Sequence, residues 1–289
     1  MSFNRLVRFE EDGRTYYGDV IDFSDDKGFD VLELGGSPWL GLISTGRKVK
    51  TTKLLCPIEA CPIIICVGLN YKQHAEEAKV RTMPTFYPEL TKSGVPELKV
   101  PTFPVIFTKP SDALAGPFDD IKVHPDAQAQ LDYEGELVVI ISRDAKDVKE
   151  DQALDYVLGY TAGNDVSARN FQLPDASGGQ FCYAKSFDGF APVGPAIWST
   201  ESVPDPQKLH LKTIVNGEVV QETDTADMIW SVAQIIAHLS RGTTLRRGTV
   251  IMTGTPSGVG YFRGAFLKDS DLVEVEISGL GRVANRIVF

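Results

Sequence analysis

The chain alternates short apolar runs with turn signals, and most of those runs are too short for helices. Leu6–Glu10 and Tyr16–Asp22 flank Glu11-Asp12-Gly13-Arg14, whose Asp-Gly pair suits a tight hairpin turn with positive φ. Val215-Asn216-Gly217-Glu218-Val219 carries the same signal. Ile63–Val67, Val105–Phe107, Leu137–Ile141, Tyr156–Ala162, Leu211–Val215, Val250–Thr253 and Val273–Ile277 are further runs of strand length. One amphipathic helix is predicted after Asp227, where Ile229, Val232, Ala233, Ile236 and Leu239 recur at helical spacing and Gly242 suits the end. A second is predicted to start near Asp165 and run through Ser167-Ala168-Arg169-Asn170. Strands dominate, so the expected fold class is α+β, largely β. Cys56-Pro57 and Cys61-Pro62 mark a boundary, because proline disfavours helix before it and interrupts a ladder. Residues 1–58 are therefore expected to form a small N-terminal β domain and 59–289 the main domain. Within the latter, 78–104 holds Pro84, Pro88, Pro96, Pro101 and Pro104, keeps no period, and reads as a lid, interface arm or insertion.

Composition narrows the class. At 289 residues the chain can bury a large core, and 43% hydrophobic with 24% charged residues is ordinary for a globular protein. A net charge of −10 argues against a nucleic-acid-binding surface, while leaving an anionic substrate open if the site carries its own cations. The longest apolar stretch, around Ile63–Leu69, is far too short to span a membrane. Met-Ser-Phe-Asn-Arg-Leu-Val-Arg-Phe-Glu has no apolar core with a cleavage site, so a cytoplasmic location is expected, a mitochondrial one being left open. Four cysteines make no disulfide framework, and Cys56, Cys61 and Cys66 match no zinc spacing; buried free thiols are expected.

Chemistry concentrates in a few places. Asp132-Tyr133-Glu134-Gly135-Glu136 runs straight into the aliphatic stretch Leu137–Ile141. Side chains alternate along a strand, so Glu134 and Glu136 share a face, with Asp132 on it too. Burial and mutual repulsion both disfavour ionising such a pair. Either one acid is protonated, the face is wet, or a cation lies between them. Asp165, which ends the strand-like Gly159–Asn164, supplies a third carboxylate. With no Cys or His cluster nearby, that donor set selects a hard divalent ion: Mg2+ first, with Mn2+ or Ca2+ as alternatives. A solvated acidic strand face is the plainer reading. His74 and Glu77 are three apart, so on a helix they share a face and the carboxylate can orient the imidazole as a general base. Exposed His/Glu pairs are also common without any such role. Lys185 lies among Ala184, Phe187 and Phe190, and either snorkels to solvent or serves a ligand. Arg169 and Gln172, downstream of Asp165, can face the same site or water. Thr253-Gly254-Thr255-Pro256-Ser257-Gly258-Val259-Gly260 lacks the Walker ending and the dinucleotide glycine spacing. Its amides, that of Gly254 included, and the Thr255 hydroxyl can nest a carboxylate. Neither Ser167 nor Ser257 sits in a Gly-x-Ser-x-Gly elbow.

In order along the chain stand Asn70-Tyr71-x-x-His74-x-x-Glu77, Phe107-Thr108-Lys109-Pro110-Ser111 and Asp132-Tyr133-Glu134-x-Glu136-Leu137. Asn164-Asp165-Val166-Ser167-Ala168-Arg169, Ala184-Lys185-Ser186-Phe187-Asp188-x-Phe190 and the Thr253–Gly260 loop follow. From about Ile63 to Phe289 this series resembles the fumarylacetoacetate hydrolase family, and the combination is far more specific than any member of it. The likeness is strongest to two-domain members of the fumarylacetoacetate hydrolase domain-containing protein 2 type. The resemblance implies a mixed β-roll catalytic domain, a homodimer, and bound Mg2+ or Mn2+. It matches Glu134, Glu136 and Asp165 to metal ligands and His74 with Glu77 to a catalytic dyad on a closing lid. Lys185 matches a lysine that contacts substrate or oxyanion, Thr255 in its Gly254-Thr255 loop a carboxylate-binding threonine, and Arg169 and Gln172 pocket residues. Residues 78–104 are longer than in compact relatives. The activity implied is Mg2+-dependent hydrolysis of a C–C bond in a 1,3-dioxo or 2-oxo acid, such as an acylpyruvate or a fumarylacetoacetate-like substrate. The alternative is an oxaloacetate tautomerase, decarboxylase or isomerase using the same enolate chemistry. A second alternative is an inactive metabolite-binding member, against which the intact acids and dyad argue.

Overall fold

Every residue of the strand Gly135–Ile141 is buried, and alternation explains how. Leu137, Val139 and Ile141 enter one apolar cluster with Tyr160, Leu211 and Ile236, while Val138 and Ile140 enter another with Ile64, Cys66 and Met252. A strand covered on both faces has to be apolar throughout. The computed structural model describes residues 3–24, 28–78 and 101–289, and this strand lies inside its largest sheet. It pairs antiparallel with Val157–Asn164 on one side and Val250–Met252 on the other. Beyond Val250–Met252 come Ile64–Gly68, paired parallel, and then Val105–Lys109 at the edge. Beyond Val157–Asn164 come Ala191–Ser199 and Arg5–Glu11. The sheet then continues through Arg14–Ser24, Gly28–Ser37 and Gly41–Thr51. The Leu6↔Ile197 pairing thus carries one sheet across the proline boundary near residue 58. A second sheet, built on His210–Val215, Glu218–Asp224, Leu272–Ile277 and Gly281–Val288, adds Leu211, Val275, Ile277 and Val283 to the first cluster. The expectation of a largely β, mixed roll with few helices holds.

Turn chemistry acts as predicted. Asp12 and Gly13 have φ of 50° and 72°, and Asn216 and Gly217 have 51° and 84°, the paired positive values of a two-residue hairpin turn. The amphipathic helix is Val232–Leu239, entered through a capping box of Ser231 and Gln234. Ile229 lies before it, its N–H donated to the Asn70 carbonyl.

The helix predicted near Asp165 does not form. Ser167–Ala168 pairs with Leu131–Asp132 as a two-residue strand, and Arg169–Phe171 is a single 3-10 turn. Ser167 Oγ donates to the Asp165 carbonyl, a local side-chain bond that competes with helical ones. Most of the 78–104 segment, 79–100, lies outside the described residues. All four cysteines are free, Cys61 and Cys66 buried and Cys56 and Cys182 partly so. No helix of the described residues is long and apolar enough to cross a membrane.

Candidate active site

Strand register builds the acidic cluster. Gly135 pairs with Asn164, so Glu134 and Asp165, one step further on each strand, face one another. The Asp165 N–H donates to the Glu134 carbonyl at 2.8 Å. Glu136 returns to the Glu134 face two residues on. Glu134, Glu136 and Asp165, all buried, each bring a carboxylate oxygen to within 4.8 Å of the other two. The glycine between the glutamates is required by the second sheet: a Cβ at 135 would meet Thr213 Oγ1 at 2.1 Å. Asp132, expected to share this face, serves instead as a clamp. Its oxygens accept from the N–H groups of Tyr133, Gly260 and Tyr261 and from Arg169 Nε at 2.8 Å.

Buried acids need cations, and three converge here. Lys185 Nζ lies 2.6 Å from Glu134 Oε2 and 2.9 Å from Asp165 Oδ2. Arg169 Nη2 lies 2.6 Å from Glu134 Oε1. Lys109 Nζ is 2.5 Å from Asp165 Oδ1 and donates to the carbonyls of Val166 and Phe190. Lys109 thus faces Asp165 Oδ1 as Lys185 faces Oδ2. Burial pushes the Glu134 carboxyl up, but the charges of Lys185 and Arg169 outweigh it and hold Glu134 below its ordinary value. For Glu136, burial and then the charges of Asp165 and Glu134 push the carboxyl well above it, against a 2.6 Å hydrogen bond from the Gly254 N–H.

The residues fit a hard divalent ion. Such ions sit about 2.0–2.6 Å from carboxylate oxygens, so one ion can contact all three acids. Three carboxylate oxygens within 4.8 Å of one another and a Glu136 whose ionisation burial and its neighbours oppose are the two features a dication would answer.

The candidate His74–Glu77 pair comes from the helical residues 72–78. His74 Nδ1 lies 3.1 Å from Glu77 Oε2, and Glu77 also accepts from the Gly258 N–H at 3.2 Å. A carboxylate that accepts here requires Nδ1 to carry the proton, which leaves Nε2 as an acceptor. Asn70 fixes the entry to this helix. Its Nδ2 donates to the carbonyls of Thr253 at 2.6 Å and Trp230 at 3.1 Å, and its Oδ1 accepts from the Trp230 N–H. One loop therefore touches both centres, giving Glu136 the Gly254 N–H and Glu77 the Gly258 N–H.

These groups open on a cavity of about 400 Å³. His74, Glu134, Arg169, Gln172, Lys185 and Thr255 line it, with Phe107, Phe181 and Phe262 as apolar wall. Gln172 Oε1 accepts from Arg169 Nη1, and the Thr255 hydroxyl donates to the Gly135 carbonyl. The other predicted residues stand behind: Glu77 supports His74, and Gly254 supports Glu136 beside Asp165. The sequence motifs include Asn70 and Lys109 without giving either a role, and Gln221 lies in none of them. Lys109 had a signal, since alternation along Val105–Lys109 buries it in phase with Phe107.

Residues 63–288 match the family described as fumarylacetoacetate (FAA) hydrolase, C-terminal. A fumarylacetoacetate hydrolase domain-containing protein 2 homolog of Dictyostelium discoideum is 39% identical over 268 residues, covering 86% of this chain and 81% of that one. The mitochondrial oxaloacetate tautomerase of Xenopus laevis is 38% identical over 237 residues, covering 81% and 68%. The crystal structure of 2-hydroxyhepta-2,4-diene-1,7-dioate isomerase from Mycobacterium marinum superposes with a TM-score of 0.80 at 35% identity, over 99% of this chain and 98% of that. The matched span contains the triad, the dyad and the cavity, and the chain belongs to the fumarylacetoacetate hydrolase family.

Proposed function

We propose that this chain interconverts keto and enol forms of a 2-oxo acid, oxaloacetate being the first substrate to try. One observation carries the reading: the cavity that exposes Glu134 of the triad also holds a single imidazole, His74, whose Nδ1 is committed to Glu77. Keto–enol exchange moves one proton between carbon and oxygen, which one acid–base nitrogen can do. A divalent ion held by Glu134, Glu136 and Asp165 would polarise the keto oxygen and stabilise the neighbouring enolate. His74 Nε2 takes the proton from one atom and returns it to the other, while Glu77 steadies the imidazolium between the two events. Lys185, buried beside the triad, offsets negative charge developing on the substrate oxygen. The Xenopus relative is named a tautomerase and the Mycobacterium structure an isomerase, and both names describe rearrangement rather than cleavage.

C–C hydrolysis of a 1,3-dioxo acid is the second reading, and the cavity among the described residues has room for it. About 400 Å³ lies in the range of sites for ligands much larger than a four-carbon acid. There His74 would deprotonate a water and Lys185 would face the oxyanion. A panel assay with purified protein and Mg2+ separates the readings. Accelerated loss of enol-oxaloacetate absorbance without new products supports the tautomerase. Acid fragments from acylpyruvates support the hydrolase, and CO2 would point to decarboxylation. His74→Ala should spare Mn2+ binding while lowering turnover by about 100-fold or more. Undiminished turnover in that variant would remove His74 from the chemistry. No turnover of any substrate, with melting unmoved by Mg2+ and oxalate, would end both readings.

A further inference from the structure

Gln221 stands outside the ion network yet touches both halves of the site. It comes from the second sheet, on strand Glu218–Asp224, and is 2% exposed. Its Oε1 accepts from the Gly135 N–H, between the two glutamates, at 3.0 Å. Its Nε2 donates to Thr255 Oγ1 and to the Pro256 carbonyl, each at 2.9 Å. The partners alone fix this orientation, because a backbone N–H only donates and a carbonyl only accepts. The amide oxygen must face Gly135, the nitrogen must face Pro256, and Thr255 must receive a hydrogen. A hydroxyl that accepts from its neighbour keeps its own proton to give. Thr255 gives that proton to the Gly135 carbonyl at 3.0 Å, and a carboxylate entering the cavity that Thr255 lines would compete with that carbonyl for it.

We propose that Gln221 is a positioning residue that keeps Thr255 Oγ1 a proton donor toward the carboxylate of a bound 2-oxo acid. This deepens the proposed function and rests on it. Donation by Gln221 polarises the hydroxyl and strengthens what it gives onward. It also occupies one of the two lone pairs of the hydroxyl, so an arriving carboxylate meets Thr255 as a donor.

The test is calorimetry with two probes: Mn2+ alone, then oxalate added to Mn2+-saturated protein. The proteins are the unmodified chain, Gln221→Met, Thr255→Val and the double variant. Mn2+ affinity should stay within about threefold throughout, because none of these side chains is a candidate ligand. Oxalate should weaken by about tenfold in Thr255→Val and by about five- to tenfold in Gln221→Met. The double variant should bind oxalate no more weakly than Thr255→Val, since the amide acts through the hydroxyl. Oxalate affinity unchanged in Gln221→Met, losses that multiply in the double variant, or Mn2+ and oxalate weakening together would each overturn the proposal. Should Gln221→Met fail to fold, a crystal structure of the unmodified protein with Mg2+ and oxalate decides. It must show Thr255 Oγ1 within hydrogen-bond distance of both oxalate and Gln221 Nε2, and a missing contact to either overturns the proposal. If the unmodified, Mn2+-bound chain fails to bind oxalate at all, the proposed function falls first, which is a distinct outcome.

Discussion

Lys109 and Lys185 each set an ammonium against one oxygen of Asp165, but they are not equivalent. Lys109 spends its other protons on the carbonyls of Val166 and Phe190, whereas Lys185 lines the cavity. Lys109 is thus the fixed counter-charge and Lys185 the one a substrate can meet. Lys109→Met leaves Asp165 buried without its fixed cation and should lose about 3–5 kcal/mol in urea unfolding. Mn2+ should restore more stability to this variant than it adds to the unmodified protein. An equal increment in both would mean that Asp165 does not meet the metal. The acids of this network were legible in the sequence, because alternation alone puts Glu134 and Glu136 on one face of a strand. The clamp role of Asp132 was not, since one of its partners, Gly260, is 128 positions away. Gln221 gave no signal either, for a glutamine in a hairpin strand is ordinarily a solvated one.

At the level of elements, the functional pieces are short ones held by longer ones. The loop at 253–261 has little regular structure of its own, yet Asn70, Glu136, Gln221, Glu77 and Asp132 each hold part of it. Gly258 is where it can least change: φ is +102°, and a Cβ would meet the Val220 carbonyl at 2.1 Å. Gly258→Ala should therefore shift the amide that holds Glu77, lowering both the melting temperature and turnover, as scanning fluorimetry and the enol assay would show. Wild-type turnover would detach the Glu77–Gly258 contact from catalysis. Long apolar strands were readable because their period is local, but the segment after Asp165 was not. Its pairing with Leu131–Asp132 overrode a local pattern that reads as helix. The hairpin of the second sheet carries a pH response of its own. His210 lies across from Asp224 and beside Glu222, and hydrogen bonds to Asp224 first and Glu222 second raise its imidazole above the ordinary 6.5. The folded state binds this proton more tightly than the unfolded chain. Its contribution is therefore complete below pH 6.5 and fades as pH rises through the folded value. The side chain is part-exposed, so the effect is small after solvent screening. Melting curves of His210→Gln and the unmodified chain should separate near pH 6 and converge by about pH 9. A constant gap across that range would deny the histidine its charge-linked role.

Across the whole molecule, the site forms where the two sheets meet. Thr213 of the second sheet covers Gly135, Gln221 of the same sheet reaches Thr255, and the first sheet supplies Glu136 and Lys109. A chain of net charge −10 repels anions at long range, and the buried cluster sets Lys109, Lys185 and Arg169 against Asp132, Glu134, Glu136 and Asp165, so an anionic ligand would need the charge of a bound dication. The β character was legible without knowing any strand's partner, whereas the Leu6↔Ile197 pairing that joins the N-terminal strands to the rest was not. The same long-range assembly makes metal binding a property of the fold. An unfolded chain cannot hold Glu134, Glu136 and Asp165 together, so an ion that binds them must stabilise the folded state. At 100 times its Kd, Mn2+ should add about 2.7 kcal/mol. That is roughly a 5 °C rise, at about 2 °C per kcal/mol for a chain of this size. Oxalate added with Mn2+ should raise the midpoint further, while oxalate alone should not. Glu136→Gln should fold about as well as the unmodified chain in the absence of metal, because burial and its neighbours already oppose a charge at this position and an amide carries none. The same variant should show no Mn2+ shift. If the unmodified chain and Glu136→Gln melt together whatever the Mn2+ concentration, the triad is a set of carboxylates held by Lys109, Lys185 and Arg169 alone, and the proposed enolate chemistry loses its electron sink.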